Sequence, residues 1–132
     1  MEKKAKILLV DDDVDFVEST KTILESKPYE VIVASNGDEG LRKAREENPD
    51  LILLDVIMPV KDGFTVAEQL KKDPQLRKIP TLMLTAFAEK SKETSIPVSR
   101  GFTLEAEDYI EKPVSPQELL ARVEKQLKKF GF

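Results

Sequence analysis

Four short, unbroken apolar runs, each closed by polar or turn-forming residues, constrain this chain more than any other feature. They are Ile7-Leu8-Leu9-Val10, Val31-Ile32-Val33-Ala34, Leu51-Ile52-Leu53-Leu54 and Leu82-Met83-Leu84, the last led in by the β-former Thr81. Such runs, short and without alternation, suit strands buried on both faces. Helical patterns separate the first four. Phe16, Val17, Thr20, Ile23 and Leu24 recur at helical spacing, Leu41 with Ala44 marks a short amphipathic helix before Asn48-Pro49, and Phe64, Ala67 and Leu70 line a helix that stops near Asp73-Pro74. Tyr109-Ile110 predicts a short fifth strand. Pro116, Leu119, Leu120, Val123, Leu127 and Phe130 then follow the 3.6 period over a charged opposite face, with Ser115 as cap, Pro116 in the first helical position and Glu118 completing a capping box. Parallel neighbours need a crossover, usually a helix. The predicted fold is therefore α/β, a doubly wound five-stranded parallel sheet with helices on both faces.

The 132 residues suffice for one domain, expected over 1–132, and leave no room for a second folded or output domain. With no Cys and no His, the chain has no disulfide, no thiolate or imidazole zinc site, no His-served nucleophile and no phosphohistidine of its own. Any metal must sit among oxygens. A formal charge of −4 argues against direct nucleic-acid binding as the main function, and no apolar run is long enough to span a bilayer. Met1–Lys6 leads into only four apolar residues before Asp11, too few for an export signal, so a cytoplasmic protein is expected.

In an open doubly wound sheet, ligands bind beyond the carboxyl ends of the strands, where strand order reverses. The residues there are Asp11, Asp12 and Asp13 after the first strand, Asp55 after the third, Thr85 after the fourth and Lys112 after the fifth. Carboxylates facing one another on adjacent strands repel, and a divalent cation relieves the repulsion. A few hard oxygens beside an open rim suit Mg²⁺. Lys112 adds a mobile cation and Thr85 a hydroxyl, and together these groups form a constellation for phosphoryl transfer onto a carboxylate. Each has a blander reading alone: the aspartates as helix caps, Thr85 as a β-former, Lys112 as a solvated lysine, Tyr109 as a strand aromatic.

Taken together, Ile7–Asp13, Leu53-Leu54-Asp55-Val56-Ile57-Met58-Pro59 with Asp62-Gly63, Leu84-Thr85-Ala86 and Asp108-Tyr109-Ile110-Glu111-Lys112-Pro113 resemble the receiver domain of two-component response regulators. The resemblance implies a flavodoxin-like receiver fold and a signalling switch, not an enzyme beyond its own phosphotransfer and dephosphorylation. Asp55 is the implied phosphoacceptor, supported by Lys112 and Thr85. Asp12 is the implied direct Mg²⁺ ligand, Asp11 acts mainly through metal-bound water, and Asp55 and the Ile57 main-chain carbonyl complete the set. Thr85 and Tyr109 look like the switch pair, while Ile57 and Phe87, both apolar, flank the acyl phosphate and imply slow self-dephosphorylation. The bond before Pro113 is typically cis in that family. Implied partners are a histidine kinase or histidine phosphotransfer protein, a downstream protein target, and a second copy of the chain in a phosphorylation-dependent homodimer.

Two rivals use the same residues. Asp11-x-Asp13 also echoes the haloacid dehalogenase phosphatases, which would leave Asp55-x-x-Met58-Pro59 without a task, and a receiver-like fold also serves as an unphosphorylated scaffold. The chain departs from the receiver pattern between Thr85 and Lys112. Apolar residues there fall at 96, 98, 102 and 104, nearer to alternation than to the helical period, and Pro97 and Gly101 disfavour a helix interior. The helix that receivers carry between the fourth and fifth strands is expected to be shortened, displaced or replaced by an irregular, mobile segment over 89–105.

Overall fold

The computed structural model describes residues 5–56, 58, 62–85, 108–112 and 114–129, with the main chain alone at Thr85 and Asp108. The apolar runs become strands β1 (Ala5–Val10), β2 (Tyr29–Ala34), β3 (Leu51–Asp55) and β4 (Thr81–Thr85), and the fifth strand, β5, is Asp108–Glu111. All pair in parallel, in the order β2-β1-β3-β4-β5. Between them run helices α1 (Val14–Glu25), α2 (Gly37–Glu47) and α3 (Gly63–Lys72), and after β5 comes α4 (Pro116–Lys129). The sequence expectation of a doubly wound five-stranded parallel sheet holds. The segment 89–105, Ile57, Phe87, Pro113 and the Thr85 side chain lie outside the described residues.

Strand residues alternate between two cores, which is why the runs carry no polar position beyond Thr81 at the start of β4. Leu8, Val10, Ile52, Leu54 and Met83 pack with Leu41, Ala44, Phe64 and Leu70 of α2 and α3. Ile7, Leu9, Leu51, Leu53, Leu82, Leu84 and Ile110 pack with Leu24 of α1 and Leu119, Val123 and Leu127 of α4. Strand order reverses between β1 and β3, whose register pairs Val10 with Leu54. Residues 11 and 55 therefore leave the sheet side by side.

Capping follows the sequence closely at three helices. Asp13, Asn36 and Asp62 accept from the amides of Phe16, Glu39 and Thr65. At α4, the Ser115 hydroxyl accepts from the Glu118 amide at 3.1 Å, but the Glu118 carboxylate turns to Arg122 at 2.8 Å and leaves the box one-armed. Ser115→Ala is therefore expected to cost about 1 kcal/mol, the ordinary loss of a cap. A urea midpoint unchanged from wild type would show that α4 starts without this bond. Among the described residues no helix is long and apolar enough to cross a membrane.

Candidate functional site

Asp11 follows the last residue of β1, and its amide donates to the Ala34 carbonyl at 3.0 Å, which extends the sheet pattern one step and fixes where its side chain emerges. Asp55 is the last residue of β3, paired with Leu84 across to β4. Both carboxylates are buried, whereas Asp12 is exposed. One oxygen from each of Asp11, Asp12 and Asp55 falls within 4.8 Å of the others. The cluster that the strand ends predict is thus assembled from residues up to 44 positions apart.

The three consecutive aspartates divide their tasks. Asp13 is the cap of α1, accepting from Phe16 N–H at 3.1 Å, so the bland reading holds for this one residue. Asp11 Oδ1 accepts from the Asp13 amide at 2.9 Å, and its Oδ2 accepts from Lys112 Nζ at 2.7 Å. Among described residues Asp12 makes neither a hydrogen bond nor an ion pair, and it is exposed while keeping one oxygen within reach of the other two carboxylates.

Lys112 follows β5 directly and reaches back over the cluster. Its ammonium lies 2.7 Å from Asp11 and 3.4 Å from Asp55, with the lysine side chain only 15% exposed. Burial alone would lower its pKa, but the hydrogen bond to Asp11 and the charges of Asp55 and Asp11 outweigh burial and hold it above the ordinary lysine value. The lysine is therefore a standing countercharge as well as a group facing the open position. Beneath it lies the Phe16 ring, whose centroid is 4.1 Å from Nζ. Nothing in the sequence reading assigned Phe16 a place here, because a helical apolar position next to two core positions gives no sign of it.

A second feature missed in the sequence is why Gly63 follows Asp62. A Cβ on Gly63 would stand 2.2 Å from the Asp55 carbonyl oxygen and 2.8 Å from Val56 Cα, and the Gly63 amide donates to the Val56 carbonyl at 2.7 Å. The first turn of α3 is pressed against the backbone that carries Asp55. Tyr109 sits in β5 opposite Met83, half-buried against the α2/α3 core, and burial pushes its phenol pKa up. Its carbonyl accepts from Arg122 of α4 at 3.2 Å. Thr85 ends β4 opposite Glu111.

The donor set fits a hard divalent cation: carboxylate oxygens only, from two buried residues and one exposed. Asp11, Asp12 and Asp55 are the residues that would hold it.

A family model described as response regulator receiver domain matches residues 7–124. The chain is 44% identical over 124 residues to the alkaline phosphatase synthesis transcriptional regulatory protein PhoP of Bacillus subtilis, covering 94% of this chain and 49% of that protein. It spans about half the length of the curated relatives it matches. Among solved structures, the signal receiver domain of a signal transduction histidine kinase from Syntrophus aciditrophicus superposes with a TM-score of 0.85 at 35% identity, covering 96% of this chain and 92% of that one. The receiver domain of a sensor histidine kinase from Pseudomonas aeruginosa, with a TM-score of 0.82 at 25% identity and coverage of 96% and 99%, is described with a magnesium ion coordinated in its active site cleft.

Proposed function

We propose, from the premise that this chain belongs to the response regulator receiver domain family, that it is a phosphorylation switch whose acceptor is Asp55. The observation that carries the reading is the buried Asp55 carboxylate beside Asp11, with the Lys112 ammonium 3.4 Å away. In the proposed reaction a carboxylate oxygen of Asp55 attacks the phosphorus of a phosphohistidine on a partner kinase or phosphotransfer protein. An O–P bond forms and the P–N bond breaks, with its electron pair returning to the ring nitrogen, so that an imidazole already protonated at its other nitrogen leaves neutral. Lys112 balances charge on the incoming phosphoryl oxygens, and Asp11 keeps that lysine in place. Mg²⁺, when bound, adds positive charge that lets anionic phosphoryl and carboxylate groups approach one another. Thr85 and Tyr109 are the proposed relay to the β5–α4 side, and Ile57 and Phe87 the proposed determinants of lifetime. The domain is proposed to extend over 1–132 and to act through a protein target or a second copy, at a cytoplasmic location. Direct nucleic-acid contact is not part of the reading for these residues. The relatives are transcriptional regulators of about twice this length, so contact with DNA by a whole protein of that kind is a separate matter.

A small-molecule phosphodonor tests this directly. With Mg²⁺ the chain should gain one phosphoryl group, mapped by mass spectrometry to Asp55, and without Mg²⁺ it should gain almost none. A label on Asp11 would favour the phosphatase rival, and no label at all would favour the scaffold.

The metal reading has its own test, independent of phosphate. A ligand at a hundredfold excess over its dissociation constant stabilises the native state by ~2.7 kcal/mol. Millimolar Mg²⁺ is expected to raise the melting temperature by several degrees. Asp12→Ala removes the exposed carboxylate without disturbing the Lys112 pairings and should abolish most of that rise. An undiminished shift in the variant would remove Asp12 from the ligand set.

A further inference from the structure

We propose that Phe16 is a positioning residue that holds the Lys112 ammonium at the acidic cluster, and that it thereby sets both phosphoryl acceptance and the affinity for Mg²⁺. The inference rests on the phosphoacceptor reading for the first effect and on geometry alone for the second. Among the described residues three groups surround Nζ: Asp11 at 2.7 Å, Asp55 at 3.4 Å and the Phe16 ring centroid at 4.1 Å. That last distance lies well inside the range of a cation–π contact, and such contacts strengthen where water is excluded, as at this lysine. The ring is itself fixed. The Phe16 amide is bound by the cap residue Asp13, whose own amide donates to Asp11, and the side chain packs on the α1/α4 core. One short segment therefore supplies the carboxylate that pairs with Lys112 and the aromatic floor beneath it.

The two effects run in opposite directions. Without the ring, water reaches Nζ from the α1 side and the long lysine side chain regains rotamers, so its charge spends less time between Asp11 and Asp55. Phosphoryl transfer then slows because the countercharge is not waiting at Asp55. Mg²⁺ binding tightens, because the ammonium and the metal compete for the same carboxylates. A residue that served packing alone would not produce that second result.

Calorimetric Mg²⁺ titration, phosphodonor kinetics and proton NMR of the Lys112 ε-methylene are compared in Phe16→Leu, Phe16→Trp, Lys112→Met and the Phe16→Leu/Lys112→Met double variant. Phe16→Leu is expected to bind Mg²⁺ about threefold to tenfold more tightly, to accept phosphoryl groups about tenfold more slowly, and to lose the ring-current shift of the lysine protons. Phe16→Trp, which keeps an aromatic face, should retain wild-type behaviour in all three. In the Lys112→Met background, Phe16→Leu should leave Mg²⁺ affinity unchanged. Unaltered Mg²⁺ affinity in Phe16→Leu, or the same change with and without Lys112, overturns the inference. If wild type accepts no phosphoryl group while the Phe16–Lys112 coupling to Mg²⁺ persists, the phosphoacceptor reading fails and the positioning role stands.

Discussion

Asp55→Asn is expected to abolish phosphoryl acceptance while making the metal-free protein more stable. The amide keeps the shape and can still accept a hydrogen bond from Lys112, but it has no nucleophilic carboxylate. Its effect on stability follows from the charges around it. Asp55 is buried, is repelled by Asp11 and Asp12 with oxygens within 4.8 Å, and is attracted by the Lys112 ammonium at 3.4 Å, which already pairs more closely with Asp11. Neutralising it removes those two repulsions and a desolvation cost, while the attraction to Lys112 is partly retained. Asp12 is exposed and therefore screened, so the net gain is expected near 1 kcal/mol, a few degrees in melting temperature. Intact-mass analysis after phosphodonor treatment and a melt without Mg²⁺ measure the two halves. Phosphorylation of the variant at the wild-type rate would end the Asp55 assignment, and a lower melting temperature would show that Lys112 depends on the second carboxylate more than the distances suggest.

Gly63→Ala is expected to lose stability and acceptance together, in contrast with Asp55→Asn. The added methyl would stand 2.2 Å from the Asp55 carbonyl oxygen, a backbone atom that cannot rotate away. Overpacking of this kind usually costs about 1–3 kcal/mol, and because the three nearest atoms are all backbone this case falls at or above the upper end. Relief requires α3 to withdraw, which breaks the 2.7 Å Gly63–Val56 bond and moves the strand end that aims Asp55. Chemical denaturation should show the loss, and phosphodonor labelling of the protein still folded should be slower. A variant as stable as wild type would mean that the helix start adjusts at little cost. Gly40 offers a milder comparison, since its added Cβ would meet Val10 methyls at 3.0 Å, which have some freedom to move.

These two residues also show what could be read from the chain. The strands were legible because burial on both faces leaves apolar runs with no polar interruptions, and the site was legible because the runs end abruptly in Asp11–Asp13, Asp55 and Lys112. Division of labour among Asp11, Asp12 and Asp13 was not legible. It depends on which carboxylate turns toward the first amides of α1 and which toward Lys112, a difference of one backbone rotation. Lys112 was expected as a mobile cation supporting Asp55, and nothing in the sequence signals that it binds Asp11 more closely than Asp55. Gln126 was equally hidden: it falls on the buried side of α4 with its Oε1 lacking a hydrogen-bond partner, in a pattern that the apolar positions around it had already explained. Phe16 and Gly63 escaped for the opposite reason. Their roles lie in a contact with a residue far away in sequence, and period and composition carry no information about that.

The bond between Lys112 and Asp11 joins residues 101 positions apart, and it has a consequence for the order in which the molecule comes into being. A ribosome releases the chain from its N-terminal side at about 5–20 residues per second. Asp11, Asp12 and Asp55 therefore exist 57 residues before their lysine does, an interval of roughly 3–11 seconds. Until β5 docks on β4, a nascent sheet of β1 to β4 carries its acidic rim with no internal cation. The last strand to be synthesised thus delivers the charge that relieves the repulsion between the ends of the first and third, and a competent site is also a record that the whole sheet has closed.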